Sequence, residues 1–194
     1  AVEFEPGGAA PVVEPEPRGV HHLRAEVRQR LATVDPQSRA DAPGVERART
    51  AGMRVVIADR TRLSPLQFQE AITKAVQGVD LVVMAGFLSM WQIPPEFVGR
   101  VINIHPALLP AFGGHGMYGT RVHEAVLRSG QKESGCTVHF CDNEYDHGPI
   151  IVQRKVPVFP GDTADVLAAR VFVQECEALP EAIQRIAKGI VSND

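Results

Sequence analysis

At 194 residues, with 44% hydrophobic and 22% charged residues, the chain has the composition of one ordinary globular domain with a full-sized core. A formal net charge of −3 gives no basis for nucleic acid or an anionic membrane as a partner, and no apolar run approaches the ~20 residues of a membrane span. Cys136, Cys141 and Cys176 are odd in number and lack CxxC spacing, which fits a reduced, cytoplasmic protein with packing cysteines, and nothing reads as a secretory signal.

Residues 1–20 carry Pro6, Pro11, Pro15 and Pro17 among glycines and glutamates and read as a disordered tail. Leu23, Val27, Leu31 and Val34 recur on one helical face and predict a helix over 20–34. A helix is expected from Val45 to Ala51, ended by Gly52, then a buried strand over Arg54 to Ala58. Ser64-Pro65 opens a further helix reaching Val76, with serine as cap and proline at the first helical position. Leu81 to Ala85 is a continuous apolar run, typical of a parallel strand covered on both faces.

Val101 to Ile104 predicts another strand, and Val122 to Ser129 a helix stopped by Gly130. Thr137 to Phe140 and Ile150 to Gln153 read as neighbouring strands, followed by Val156-Pro157-Val158. Gly161-Asp162-Thr163 caps a long helix that Pro180 is expected to break in two. These elements describe an α/β sheet with extra strands in its second half. In such sheets ligands bind beyond the carboxyl ends of the strands, here Gly86 to Leu88, His105-Pro106 and the loop from Cys141 to Pro149.

Those strand ends hold the residues that carry chemistry. His105 stands alone as a loop-anchoring histidine, but Asn103, two residues earlier, points to the same side of the strand, and its amide can donate to an oxyanion. Asp146 is either a turn residue or the carboxylate that keeps His105 charged. An amide, an imidazole and a carboxylate that converge suit acyl transfer to an amine without a metal. The letters of GxGxxG at Gly114 to Gly119 follow a proline-rich loop rather than a strand, so a loop near a substrate is the better reading. His123-Glu124 lacks the second histidine of a zinc helix, and no metal is expected. His139 either lines the site or buttresses Asp146. Glu175 is either solvated or receives a substrate amine or amide.

Four segments together, Leu81 to Phe87, Asn103 to Phe112, Ser134 to Phe140 and Asp146 to Ile151, resemble folate-dependent phosphoribosylglycinamide (GAR) formyltransferase. The similarity continues through Val156-Pro157-Val158, Gly161-Asp162-Thr163 and Gln174-Glu175, from about Pro43 to Val191. It implies a Rossmann-like, mostly parallel sheet with helices on both faces, in a formyltransferase domain over 41–194 behind an atypical segment 1–40. It further implies formyl transfer from 10-formyltetrahydrofolate to the primary amine of GAR, in purine biosynthesis, by Asn103, His105 and Asp146.

Leu88, Ser89, Met90, Trp91, Val98, Cys141, Asp142, Asn143 and Glu144 match the folate pocket. Pro106, His139 and Glu175 match positions at the GAR side. The implied partners are these small molecules, with no nucleic acid and no membrane, and the oligomeric state is left open.

Two departures from the family pattern stand out. Where many members carry Met-Arg after Gly-Phe, this chain has Leu88-Ser89, which removes a cation near the folate. The family's first buried strand and its phosphate-binding Gly/Ser/Asn loop have no counterpart in 1–40, so that strand and loop are missing or replaced. An altered start or reading frame upstream of about residue 40 is one account; a variant that binds phosphate elsewhere, or not at all, is the other. The rival functions are a formyltetrahydrofolate hydrolase and a non-catalytic folate-binding remnant.

Overall fold

The computed structural model describes residues 32–35 and 43–192. The expected tail, the missing phosphate loop and most of the 20–34 helix lie outside these residues. Inside them, Ala32–Asp35 forms a strand, β1, where the end of that helix was expected. β-Branched Thr33 and Val34 favour extended backbone, and parallel pairing with β2 (Arg54–Ile57) gives it hydrogen-bonding partners. Helix α1 (Pro43–Thr50) joins the two and stops at Gly52, which takes a left-handed conformation at φ 73°.

A second, four-stranded sheet has the order β3 (Val82–Ala85), β4 (Val101–His105), β5 (Glu133–Phe140), β6 (Ile150–Pro157). β3 and β4 are parallel, whereas β4–β5 and β5–β6 are antiparallel, so the sheet is mixed. The α/β architecture holds, with two parallel and two antiparallel pairings among the described residues. Val156-Pro157 belongs to β6 as one continuous strand rather than a separate element.

Helix α2 (Pro65–Ala75) starts at Ser64, whose hydroxyl accepts from Gln67 N while Gln67 reaches back to Ser64 N. Its Phe68 and Ile72 pack with Trp91, Ile93, Phe97 and Val101 on one face of the large sheet. The other face carries Ile102, Cys136, Val138 and Phe140 against Val126 of α3 (Thr120–Ser129) and Leu167, Val171, Ala178 and Ala182 of α4 (Ala164–Ala187). The alternation of strand residues therefore sends Cys136 to one core and Cys141 to the other, and all three cysteines are free.

β3 was read as covered on both faces, and Val83 packs with one core while Val82 and Met84 pack with the other; it stays half-buried with Ala85 exposed, because β4 is its sole neighbour in the sheet among the described residues. Two expectations about burial and breakage fail for physical reasons. β2 was read as buried, and Arg54 is exposed with Val55–Ile57 half-buried, since its described sheet has two strands. Pro180 does not break α4, which runs unbroken from Ala164 to Ala187. The interruption costs about 3 kcal/mol, and burial of Ala178 and Ala182 on either side against the sheet opposes it.

Candidate active site

β4 sends Asn103 and His105 to the same face, and β5 places His139 opposite Asn103 and Thr137 opposite His105. The loop after β5 brings Asp146 back over them. Asn103, His105 and Asp146 all line one cavity of about 1420 Å³. The three residues singled out from strand ends therefore converge.

His105 is buried, with Nε2 2.8 Å from the Phe112 carbonyl and Nδ1 3.4 Å from Asp146 Oδ1. Nε2 donates to the Phe112 carbonyl, and Asp146 stands where its carboxylate pairs with Nδ1 once the ring is protonated. Phe112 and Asp146 are also the two non-glycine residues with positive φ among those described, at 57° and 52°. A left-handed backbone at such residues costs on the order of 1–3 kcal/mol each, and here both strained residues grip the same ring. Asp146 Oδ2 in turn accepts from Gly114 N at 2.9 Å. A Cβ at Gly113 would come within 2.5 Å of Leu109 Cδ2 and 3.1 Å of Asp146 Cβ, so a larger residue there requires the Leu109 side chain to move.

His139 stands behind Asn103, 2% exposed and off the cavity wall. Its Nδ1 donates to the Phe140 carbonyl at 2.8 Å, leaving Nε2 as an acceptor for Asn103 Nδ2 at 3.3 Å. Burial lowers its pKa, opposed by that carbonyl and by Asp146, which suits the neutral ring. One Asn103 N–H is thus held by His139, and the other is left for the cavity. His139 positions the amide rather than meeting a ligand.

Thr137, also fully buried, donates to the Ala107 carbonyl at 2.7 Å and accepts from Leu109 N at 3.1 Å. Gln153 on β6 adds a bond to Thr137 Oγ1 and one to the Leu109 carbonyl, both 3.0 Å. This clamp holds the segment that leaves the catalytic strand.

The other expected residues divide. Leu88, Ser89, Met90, Pro106 and Glu175 line the cavity; Trp91, Val98, Cys141, Asp142, Asn143 and Glu144 are off its wall. Trp91 is a core residue whose indole donates to Thr73 Oγ1 at 3.1 Å. Val98 is 63% exposed at the end of the short 3₁₀ turn Pro95–Phe97. Cys141 packs into the α2-side core, where burial pushes its thiol up to about 12. Asn143 Oδ1 accepts from Ile93 N at 2.8 Å and so ties the two loops together. Asp142 pairs with His147 at 2.6 Å.

Glu175 comes from α4, and burial raises its pKa. Sequence reasoning missed Arg60, Tyr145, Arg121 and His123 on the wall. His123 was weighed as a zinc ligand; it is buried with Nδ1 unpartnered, and desolvation, then His105, lowers its pKa.

The profile of the formyl transferase family matches residues 24–183, beginning upstream of Pro43, where the motif resemblance starts. Phosphoribosylglycinamide formyltransferase, chloroplastic, of Arabidopsis thaliana is 42% identical over 161 residues, covering 78% of this chain and 54% of that protein. The chain thus spans about half the length of this relative. Phosphoribosylglycinamide formyltransferase of Escherichia coli (strain K12) is 40% identical over 163 residues, covering 78% of this chain and 72% of the relative. Among solved structures, glycinamide ribonucleotide transformylase 1 from Symbiobacterium toebii superposes with a TM-score of 0.72 at 40% identity, over 81% of this chain and 74% of that one.

Proposed function

The chain belongs to the formyl transferase family, and we propose that it transfers a formyl group from 10-formyltetrahydrofolate to the primary amine of GAR. The observation that carries this reading is the convergence of Asn103, His105 and Asp146 on one cavity wall, with Glu175 on the same cavity.

In this reading the amine attacks the formyl carbon, and negative charge grows on the formyl oxygen. The free N–H of Asn103 donates to that oxygen, and the imidazolium of His105 lends it positive charge. Proton donation from His105 Nε2 requires the Phe112 carbonyl to give way, since it occupies that N–H. Asp146 holds the imidazole charged and takes part in moving the amine proton, through water, to the departing folate nitrogen. Glu175 accepts from the amine or amide of the acceptor.

The folate end of the cavity is formed by Leu88 to Met90, whose backbone Gln69 pins by donating to the Met90 carbonyl and accepting from Gln92 N, both 2.8 Å. Leu63, Phe68 and Phe87 supply apolar wall suited to a pterin and an aromatic ring. We place the protein in the cytoplasm on its three free cysteines; no described helix is long and apolar enough to cross a membrane.

The test is a spectrophotometric assay of 10-formyl-folate deformylation with and without GAR. GAR-dependent turnover is expected, reduced roughly 10²- to 10⁴-fold in Asp146→Asn with folding intact. Formyl loss without an amine acceptor would assign the hydrolase, and folate binding without turnover at saturating GAR would assign the non-catalytic remnant.

A further inference from the structure

Two loops meet at the cavity: the glycine-rich stretch 113–119 that leads into α3, and the stretch 141–149 that joins β5 to β6. They pass in antiparallel sense and touch at two consecutive places. Gly114 N donates to Asp146 Oδ2 at 2.9 Å. One residue along each loop, the rings of His115 and Tyr145 meet edge to face, with centroids 5.5 Å apart and planes at 71°. Both rings line the cavity, and neither side chain has a hydrogen bond to another described residue.

The ring contact has little else to do than brace the bond beside it. Tyr145 is 39% exposed, so the pair adds little burial to the core. His115 is flanked by Gly114 and Gly116, at φ 95° and 85°, and a Cβ at either would meet nothing within 4 Å. Those glycines shape their loop without packing it, and so do not hold the Gly114 amide in place. On the other loop the nearest anchors are Asn143, bound to Ile93 N, and His147, bound to Asp142. Asp146 lies between them with a strained backbone that persists only where its surroundings hold it.

We infer that Tyr145 is a positioning residue of the reaction: its ring, seated against His115, keeps the Gly114 amide on Asp146 Oδ2 and so holds Asp146 Oδ1 beside His105 Nδ1. The inference rests on the roles given to Asp146 and His105 above and adds a residue to which that reading assigns nothing. The contact needs a ring and makes no use of the phenol hydroxyl.

The test measures kcat and KM of the full chain for GAR and 10-formyl-folate, alongside thermal melts. Tyr145→Ala and His115→Ala should each lower kcat roughly 2- to 10-fold, the range that an aromatic pair supplies, with both KM values as in the parent. Melting temperatures should stay within about 2 °C of the parent. The double variant should fall no further than either single one, and Tyr145→Phe should restore the parent kcat. Added to Asp146→Asn and followed in single turnover with enzyme in excess, Tyr145→Ala should cost nothing more, because its effect passes through that carboxylate.

A raised KM with kcat intact overturns the inference, since Tyr145 then meets a substrate directly. Additive losses in the double variant, or a further loss on Asp146→Asn, overturn it as well. Parent kcat in Tyr145→Ala overturns it while leaving formyl transfer standing. A parent that loses formyl without GAR overturns the acceptor reading alone, and the same variants then decide the inference on that turnover. A folded parent without turnover overturns both.

Discussion

β3 and β5 show that burial follows a strand's place in the sheet rather than its hydrophobicity. β3 is apolar at every position, Val82-Val83-Met84-Ala85, yet it is half-exposed, with β4 on one side and no described strand on the other. β5 contains Ser134, Thr137 and His139, yet it is buried everywhere except Glu133, because β4 and β6 flank it and α4 covers it. Its two central polar side chains are bonded as they are buried, Thr137 to the Ala107–Leu109 segment and His139 to Phe140 and Asn103. Ser134 Oγ is the exception and has no partner. The chemistry thus rests on the interior pair β4–β5, where side chains have few alternatives.

This contrast is broken most directly by comparing losses of core volume at the two places. Ile102→Ala, on β4 under α4, should cost about 2–5 kcal/mol by urea denaturation, and Val83→Ala on β3 well under half of that. Equal losses would mean that β3 is buried in solution by a further element. A smaller effect is expected from Thr137→Val, which keeps the shape but leaves Leu109 N–H and Gln153 short of an acceptor. It should cost about 1–3 kcal/mol of stability and lower turnover, because the segment after His105 loosens. Unchanged turnover would show that the clamp is structural alone.

The smallest effect belongs to the surface pair His147–Asp142 on the loop that carries Asp146. The hydrogen bond from Asp142, then its charge and that of Glu144, raise the His147 pKa above 6.5. For Asp142, burial pushes upward and is outweighed by the bond and charge of His147 and by backbone donors, so its pKa falls below 3.8. The His147 contribution is therefore full below 6.5 and is lost as pH rises through the raised value. The Asp142 contribution is present above 3.8 and lost as pH falls through the lowered value. Thermal melts should show a slight loss of stability on the alkaline side of this window, absent in His147→Gln; melts that match in both proteins would remove the pair from the account.

The sequence was most legible where local spacing and chain direction suffice. Asn103 and His105 share a face by strand alternation, and Asp146 lies on the loop after β5, so their meeting follows from topology. Arg60 was not legible, because its contact with Ser89 joins residues 29 positions apart through the packing of two connections. Trp91 and Asn143 were assigned to the pocket, yet their polar atoms serve Thr73 and Ile93. Spacing alone does not distinguish a pocket wall from the layer behind it. The continuity of α4 past Pro180 was hidden for a similar reason: the local penalty is visible in sequence, whereas the burial that opposes it is not.

That uninterrupted helix has a chemical consequence. Proline has no amide hydrogen, so the carbonyl of Cys176, one turn earlier, has no donor at the usual i+4 position. Cys176, Leu179 and Pro180 all border the cavity. A residue that reads as a flaw in a long helix thereby deprives a cavity-lining residue's main-chain oxygen of its usual helical donor, at a position fixed without any side chain to order and indifferent to pH.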